Sequence, residues 1–271
     1  NRSSDLEIIK DGHCTGVLLD NLADAAKALV PKMETELRIQ ALLKAQENCM
    51  GVGLTSVTDA GLDIATIELI DSLQTAGQLK MHVNAMVNPD DETMDYFMRQ
   101  GVIDKERLTV RSVKIYADGA LGSRGAKLIE PYTDDPENTG LILESDEFYR
   151  HVCQKSYDAG YQVCCHAIGD GGVRHILGIY SEYLKGQNDL RWRIEHSQTV
   201  DEADFQRYAE YSVIPSIQTT HCTSDMDWAD ERLGERIKNA YAYERLLQQN
   251  GWVINGTDFP IEDISPLYTF Y

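Results

Sequence analysis

The 271-residue sequence has no long apolar run. None of its apolar stretches approaches the roughly 18 residues that a membrane-spanning helix needs. The opening residues NRSSDLEIIKDG also lack the apolar core of a signal peptide, so the chain as given carries none. We therefore expect no membrane span and no membrane partner.

Basic residues are scarce relative to acidic ones. The chain has 25 Lys and Arg against 44 Asp and Glu, which gives a formal net charge of −19. Binding to nucleic acid needs clustered Lys and Arg for the phosphates, so this charge balance argues against a nucleic-acid partner. A solvated acidic surface is the simplest interpretation. Steering of a cationic substrate or metal is the alternative.

The chain contains no C-x-x-C pair. Its six cysteines are Cys14, Cys49, Cys153, Cys164, Cys165 and Cys222. Neighbouring cysteines in a strand point to opposite faces and do not readily bond to each other. Scattered cysteines in a chain of this length indicate reduced and mostly buried thiols, which favours a reducing compartment. We therefore expect a cytoplasmic protein.

Short apolar segments alternate with polar, amphipathic stretches along the chain. The apolar segments are GLTSVTDAG (53–61), LKMHVNAMV (79–87), LTVRSVKIYADG (108–119), YQVCCHAIG (161–169), RWRIEHSQ (191–198), SVIPSIQTTH (212–221) and GWVINGTDFP (251–260). Strands that alternate with helices at this spacing indicate βαβ units and a parallel sheet.

A helical period in TELRIQALLKAQENCMG (35–51) precedes the first of these strands, whereas residues 1–34 hold no convincing strand of a parallel sheet. The pattern predicts an α/β fold, a TIM-like (β/α)8 barrel that lacks its first strand, so residues 1–271 form one incomplete barrel domain of strands 2 to 8. The alternative is an open, doubly wound sheet. That fold calls for a G-x-G-x-x-G loop in its first βα turn, and the sequence has none there.

Polar side chains stand where the predicted strands end, which is where an α/β barrel carries its chemistry. They are Lys114 and Asp118 on the third strand, His166, His196 and His221 at the ends of the next three, and Asp258 at the end of the last. A period of two puts Lys114 on the same strand face as Asp118 and points it into the barrel.

Neutral imidazole and carboxylate are ordinary zinc ligands. A lysine becomes a ligand only if its amine reacts with CO2 to give a carbamate; otherwise a buried Lys114 needs an anionic partner or a lowered pKa. Taken singly, a histidine at a strand end is more often a hydrogen-bonded core residue, and Asp258 after Gly-Thr is more often a turn or cap. Four such residues at four strand ends favour a metal site.

Five motifs stand out: VKIYADGALGSRGAKLIEPYTDDPENTGLIL (113–143), HAIGDGG (166–172), RIEHSQ (193–198), IQTTHCTSDMDWADERLG (217–234) and NGTDFPIE (255–262). Together they resemble the amidohydrolase superfamily, and more narrowly the amidohydrolase 3 subgroup that contains N-substituted formamide deformylases. The long loop 119–143 favours this subgroup over a phosphotriesterase-like enzyme or a deaminase. The resemblance covers nearly the whole chain.

The resemblance implies a distorted TIM barrel with one or two divalent metals, usually zinc. Carried over to this sequence, the metal ligands are Lys114, which is often carboxylated in the family, His166, His196 and Asp258. Asp258 is also the expected catalytic base. The residues expected to bind substrate are Asp118, Arg124 and His221, although a surface ion pair is an equally good interpretation of Arg124.

These residues predict a hydrolase that cleaves an amide-type C–N bond in an N-acyl amine, an N-formyl amine or a cyclic amide. Metal-activated water attacks the carbonyl, and the Asp258 carboxylate accepts the proton. The expected partner is a small-molecule substrate, and a homo-oligomer is left open. Alternatives are a barrel that binds a small molecule without turnover, and another metal-barrel hydrolase such as an esterase or deaminase.

The sequence departs from the family in having no His-x-His, the pair that the family's first strand carries. It also lacks the small β-sandwich that flanks the family's barrel. We therefore expect the barrel portion of a longer protein, itself inactive, with a weak or empty metal site. Without metal, Lys114 is expected to be unmodified and paired with an acid such as Asp118 or Asp258.

Overall fold

In the computed structural model the described residues are 6–10, 13–19, 26–27, 29–31 and 33–270. The chain forms two compact units, Asn1–Leu42 and Leu43–Tyr271. In the first unit, strand Leu6–Lys10 (β1) pairs antiparallel with His13–Leu19 (β2). This hairpin agrees with the expectation that the described part of residues 1–34 holds no parallel-sheet strand.

The second unit is built on a parallel sheet. Its strands are Ser56–Leu62 (β3), His82–Val87 (β4), Ile103–Asp104 (β5), Leu108–Tyr116 (β6), Gln162–Ala167 (β7), Arg193–His196 (β8), Ile214–Ile217 (β9) and Ile254–Asn255 (β10). The order across the sheet is β3-β4-β6-β7-β8-β9-β10, and every neighbouring pair in it is parallel. Strand β5 pairs antiparallel with β6 at the side of this path. The seven predicted strands and their parallel arrangement are confirmed.

Helices connect the strands. They are Thr35–Gly51 (α1), Ile64–Thr75 (α2), Asp91–Met98 (α3), Asp146–Ala159 (α4), Asp170–Leu184 (α5), Phe205–Glu210 (α6), Thr219–Asp225 (α7), Ala229–Leu233 (α8), Tyr243–Asn250 (α9) and Pro266–Phe270 (α10), with a 3-10 helix at Gly234–Asn239. Helices α2, α3 and α4 begin after Asp63, Asp90 and Ser145, whose side chains accept a backbone N–H three residues on. These caps satisfy donors that a helix start leaves free, so they fix the point where each loop becomes helix.

The sheet is curled into a half-barrel. Within the described part of the chain its two ends, β3 and β10, do not pair with each other, so the ring predicted for a complete (β/α)8 barrel is not closed. The opening lies where the sequence predicts the missing first strand. Edge strands with free backbone groups normally pair or are covered.

The core lies between the sheet and its helices. Trp192, Tyr149 and Tyr180 are fully buried, and the Tyr180 hydroxyl donates to the carbonyl oxygens of Val163 and Arg193, so the buried ring leaves no polar group unpaired. Five cysteines are free: Cys49, Cys153, Cys164 and Cys165 are buried and Cys222 is exposed, in line with the predicted reduced and mostly buried thiols. No helix among the described residues combines the length and the apolar character required to cross a membrane.

We expect Gly169→Ala to destabilise the fold at the loop that enters α5. A Cβ at Gly169 would lie 2.0 Å from the backbone oxygen of Lys127, and the backbone cannot swing away as a side chain can. Overpacking of this kind costs about 1–3 kcal/mol. The matched control is Gly178→Ala within helix α5, where an added Cβ meets nothing within 4 Å.

Gly178→Ala should raise the free energy of unfolding by up to about 1 kcal/mol, because alanine is the better helix former. Denaturant unfolding of both variants measures the difference. Equal stability of the two variants would contradict the close approach at Gly169.

Candidate metal centre

Two of the candidate residues have backbone φ angles in the left-handed region. His196, the last residue of β8, has φ 74°, and Asp258, beyond the end of β10, has φ 56°. Such conformations cost about 1–3 kcal/mol for residues other than glycine and persist where the surrounding structure holds them. Both residues thus keep a costly backbone conformation at or beyond the end of a strand.

His196, His221 and Asp258 converge. Each offers one donor atom, and these three atoms lie within 4.8 Å of one another; no other set of His, Cys, Asp or Glu in the described ranges does so. The His221 Nε2 atom is 3.4 Å from Asp258 Oδ2, and the His196 and His221 ring centroids are 5.8 Å apart. Two imidazoles and a carboxylate are a donor set that suits zinc.

Each imidazole of this triad has a partner on its other nitrogen. His196 Nδ1 is 2.7 Å from Gln218 Oε1, and His221 Nδ1 is 2.8 Å from Glu262 Oε1. Both partner oxygens accept a hydrogen, so each histidine carries its proton on Nδ1 and turns Nε2 inward. Metal-binding histidines are oriented by such contacts.

The charges of the triad also suit a cation. Burial, and then the nearby Lys114, lowers the pKa of His196 to about 4, so its ring is neutral. Burial is the largest single cause and raises the pKa of Asp258, but the hydrogen bond from His221 together with the nearby His196, His221 and Lys114 outweighs it, so the net pKa is lowered and the carboxylate stays charged. For His221, burial is outweighed by Asp258 and Glu262, and the pKa is raised. With no cation present, a proton on His221 offsets the two carboxylates.

His166 lies beside the triad but outside it. Its ring centroid is 4.5 Å from that of His196, while its Nε2 lies 3.3 Å from the Gly119 carbonyl oxygen and 3.5 Å from Asp118 Oδ1. Burial is the largest cause that holds the pKa of His166 well below its usual range, and the nearby His196 and Lys114 act in the same direction. The predicted role of His166 as a metal ligand stays a prediction.

Lys114 is buried on β6, with 4% of its surface exposed. Its Nζ lies 4.2 Å from the centre of the Tyr116 ring, and no carboxylate of the described chain forms an ion pair with it. The expected pairing with Asp118 or Asp258 is therefore wrong. Burial lowers the pKa of Lys114, and Glu195, the strongest opposing charge, is itself paired with Arg193 at 2.7 Å.

The Asp118 side chain accepts hydrogen bonds from three backbone N–H groups. Its carboxylate accepts the N–H groups of Lys127 at 2.9 Å, Ile168 at 3.0 Å and Gly169 at 2.8 Å. Burial raises the pKa of Asp118 to about 7, and these three hydrogen bonds act in the opposite direction. The residue ties the loop after β6 to the loop after β7, and its predicted contact with substrate stays a prediction.

Asp118→Ala is expected to lower the free energy of unfolding by at least about 3 kcal/mol. The change leaves the buried N–H groups of Ile168 and Gly169 and the partly buried one of Lys127 without an acceptor, and each such group costs about 1–3 kcal/mol. The control is Asp227→Ala at an exposed position, which should stay within about 0.5 kcal/mol of the wild type. If denaturant unfolding gives the two variants the same stability, Asp118 does not hold these loops together.

Arg124 makes a two-point ion pair with Asp134 within the long loop after β6. Its Nε is 3.1 Å from Asp134 Oδ1 and its terminal nitrogen 2.7 Å from Oδ2, while Arg232 contacts the same carboxylate. The ion pair that the sequence offered as an alternative is present. The proposed contact with an acidic substrate group stays a prediction.

Two residues of the centre were not recognised from the sequence: Gln218 and Glu262. Gln218 is buried just beyond β9, where the period of two places it on the same face as Ser216, whose carbonyl oxygen it contacts at 3.4 Å. Glu262 lies four residues after Asp258, within the motif NGTDFPIE. The strand period is thus a signal for Gln218 and the motif is a signal for Glu262. Neither signal shows that Gln218 contacts His196 or that Glu262 contacts His221.

Comparison with known proteins agrees with this geometry. The Amidohydrolase family matches residues 4–271. The Arabidopsis thaliana protein LONG AFTER FAR-RED 3 is 28% identical over 274 residues, which cover 95% of this chain and 47% of that protein. The YtcJ protein of Bacillus subtilis (strain 168) is 30% identical over 270 residues, covering 96% of this chain and 50% of YtcJ.

A solved structure is also similar. An uncharacterized metal-dependent hydrolase from Pyrococcus horikoshii OT3 superimposes with a TM-score of 0.82 at 30% identity, covering 94% of this chain and 52% of that one. The chain therefore spans about half the length of these relatives. With the family matched from residue 4 to residue 271, the chain belongs to the amidohydrolase family.

Proposed function

We propose that this chain is the barrel portion of a metal-dependent hydrolase that cleaves an amide-type C–N bond. The substrate classes proposed are N-acyl amines, N-formyl amines and cyclic amides. The observation that carries the proposal is the convergence of His196, His221 and Asp258 at the end of a parallel half-barrel. In the intact protein, a further strand would close the half-barrel into a complete TIM barrel.

The donor set fits a divalent cation, and zinc suits it best. His196, His221 and Asp258 would hold one ion, and His166 with a carboxylated Lys114 would hold a second beside it. Such an ion, when bound, polarises the substrate carbonyl and lowers the pKa of a water molecule.

Asp258 is the residue of this chain that we propose to move the proton. Its side chain is 37% exposed, so a water molecule can reach a carboxylate that its surroundings keep charged. Asp258 would take a proton from the attacking water and give it to the leaving amine when the C–N bond breaks. His221 Nε2 lies 3.4 Å from this carboxylate, so the proposed metal position is beside the group that accepts the proton.

Lys114 is the proposed site of carboxylation. Its burial favours the neutral amine, the form whose lone pair attacks CO2. A C–N bond forms, one proton is released, and the carbamate presents two oxygens as a carboxylate does. Carbon-13 NMR with labelled bicarbonate and added Zn²⁺ should show a carbamate signal that Lys114→Ala lacks. No signal in the wild type would remove this step from the proposal.

The free and largely buried thiols support a reducing compartment, and we place the enzyme in the cytoplasm. Localisation of the tagged intact protein tests this placement. A secreted protein with disulfide-bonded cysteines would contradict it.

A substrate panel on the intact, metal-loaded protein tests the proposed function. The panel contains N-formyl amines, N-acyl amines, lactams and esters, each assayed with and without a chelator. We expect hydrolysis of an amide-type substrate that the chelator abolishes and Zn²⁺ restores. Turnover of esters alone would indicate an esterase, and no turnover by a protein that binds metal would indicate a binding protein.

A further inference from the structure

His221 is held between two carboxylates from one short loop. Asp258 Oδ2 lies 3.4 Å from its Nε2, and Glu262 Oε1 lies 2.8 Å from its Nδ1. We infer that Glu262 is a positioning residue, which fixes the ring of His221 so that the Nε2 lone pair faces the proposed metal position. The inference rests on the proposed function, since the cation is part of that proposal.

The loop geometry places the two carboxylates on opposite sides of the ring. The N–H of Ile261 donates to the carbonyl oxygen of Asp258 at 2.9 Å and closes a turn between the two acids. His221 enters from helix α7, which lies after a different strand. The turn thus holds Asp258 and Glu262 at a fixed spacing, and the imidazole fits between them.

Glu262 is itself held in place. Ser224, one turn after His221 on α7, donates its hydroxyl to Glu262 Oε1 at 2.6 Å. The Glu262 side chain is 19% exposed and that of His221 is 10% exposed. A carboxylate with two partners from one helix has little freedom to rotate, so its contact with His221 is preorganised.

The chemistry of the contact determines the tautomer. A charged carboxylate can only accept hydrogen bonds, so the closer contact, from Nδ1 to Glu262 at 2.8 Å, keeps a hydrogen on Nδ1. A cation that displaces the proton facing Asp258 then meets the lone pair of Nε2. Gln218 does the same for His196 with a neutral amide oxygen. Glu262 adds a negative charge, which makes the His221 ring the more basic of the two donors.

A competing interpretation is that Glu262 only forms an ion pair with a protonated His221. Two substitutions separate the two ideas. Glu262→Gln keeps an oxygen that can accept from Nδ1 but removes the charge, whereas Glu262→Leu removes both. If Glu262 positions the ring, Glu262→Gln should preserve the tautomer of His221 and Glu262→Leu should not. If Glu262 forms only an ion pair, both variants should lose the contact with His221.

Zn²⁺ affinity, measured on this chain by competition with a chelator, is the first readout. Loss of an outer partner of a metal ligand lowers affinity by about 10–100-fold, and we expect that loss for Glu262→Leu and a smaller one for Glu262→Gln. The control is Glu106→Gln, an exposed glutamate before β6 at the opposite end of the sheet, which should bind Zn²⁺ as the wild type does.

Nitrogen-15 NMR of labelled histidines at alkaline pH, without metal, is the second readout. We expect the Nδ1–H form of His221 in the wild type and in Glu262→Gln, and the Nε2–H form in Glu262→Leu. Unchanged tautomer and unchanged Zn²⁺ affinity in folded Glu262→Leu would overturn the inference. If the wild type binds no Zn²⁺, the proposed metal site fails, and the tautomers alone decide whether Glu262 positions His221.

Discussion

Asp258→Asn is expected to lower kcat of the intact enzyme by about 10²–10⁴-fold, the contribution that a general acid–base residue makes. Asparagine has nearly the same shape as aspartate but cannot accept the proton of the attacking water or return it to the leaving amine. It also tolerates the left-handed backbone at this position, where φ is 56°, so the loop should keep its conformation.

Steady-state kinetics on the substrate identified in the panel measure this effect. We expect the loss in kcat to exceed the change in KM, because the proton transfer occurs in the transition state. Asp263→Asn is the control: Asp263 is exposed on the same loop and accepts a hydrogen bond from the backbone of Ser265, which asparagine can also do. Wild-type kcat in Asp258→Asn would rule out Asp258 as the base.

His196→Ala should abolish saturable Zn²⁺ binding at concentrations that saturate the wild type. The change removes a neutral, buried donor from a group of three, which is a greater loss than the about 10–100-fold that an outer partner contributes. Calorimetric titration with Zn²⁺ measures the affinity. The matched control is His151→Ala, a half-exposed histidine that contacts Asp91 on the surface.

A thermal melt of each variant separates lost binding from lost folding. His196 is 8% exposed and contacts Gln218, so its removal should also reduce stability, whereas Zn²⁺ should raise the melting temperature of the wild type only. If His196→Ala binds Zn²⁺ as tightly as His151→Ala, the metal lies elsewhere.

Much of the fold was predictable because its signals are local. Each strand is a short apolar run that a turn ends, and the helix starts at Asp63, Asp90 and Ser145 carry capping side chains. Parallel order follows from the alternation of strands and helices. Whether the sheet closes depends on a strand pairing at its two ends, and no local pattern in residues 56–255 determines it.

The candidate site was predictable only in part. Strand ends located His196 and Asp258, but His221 lies in helix α7 rather than on β9, and its place beside Asp258 depends on how two loops meet. Its contact with Glu262 joins residues 41 positions apart, and no spacing rule covers such a separation.

Dependence on the tertiary structure also explains why the predicted ion pair of Lys114 was wrong. A period of two placed Lys114 and Asp118 on one strand face. The strand ends at Tyr116, and beyond it Asp118 turns to the backbone of Ile168 and Gly169. Competition among hydrogen-bond donors decides such contacts, and it depends on the tertiary structure.

The most direct test of the metal centre is anomalous diffraction from crystals of this chain grown in excess Zn²⁺, because without a His-x-His pair its site is expected to be weak. We predict a zinc peak bound by Nε2 of His196, Nε2 of His221 and a carboxylate oxygen of Asp258, each at about 2.0–2.2 Å. Zinc bound at other residues, with these three side chains pointing away from one another, would contradict the account.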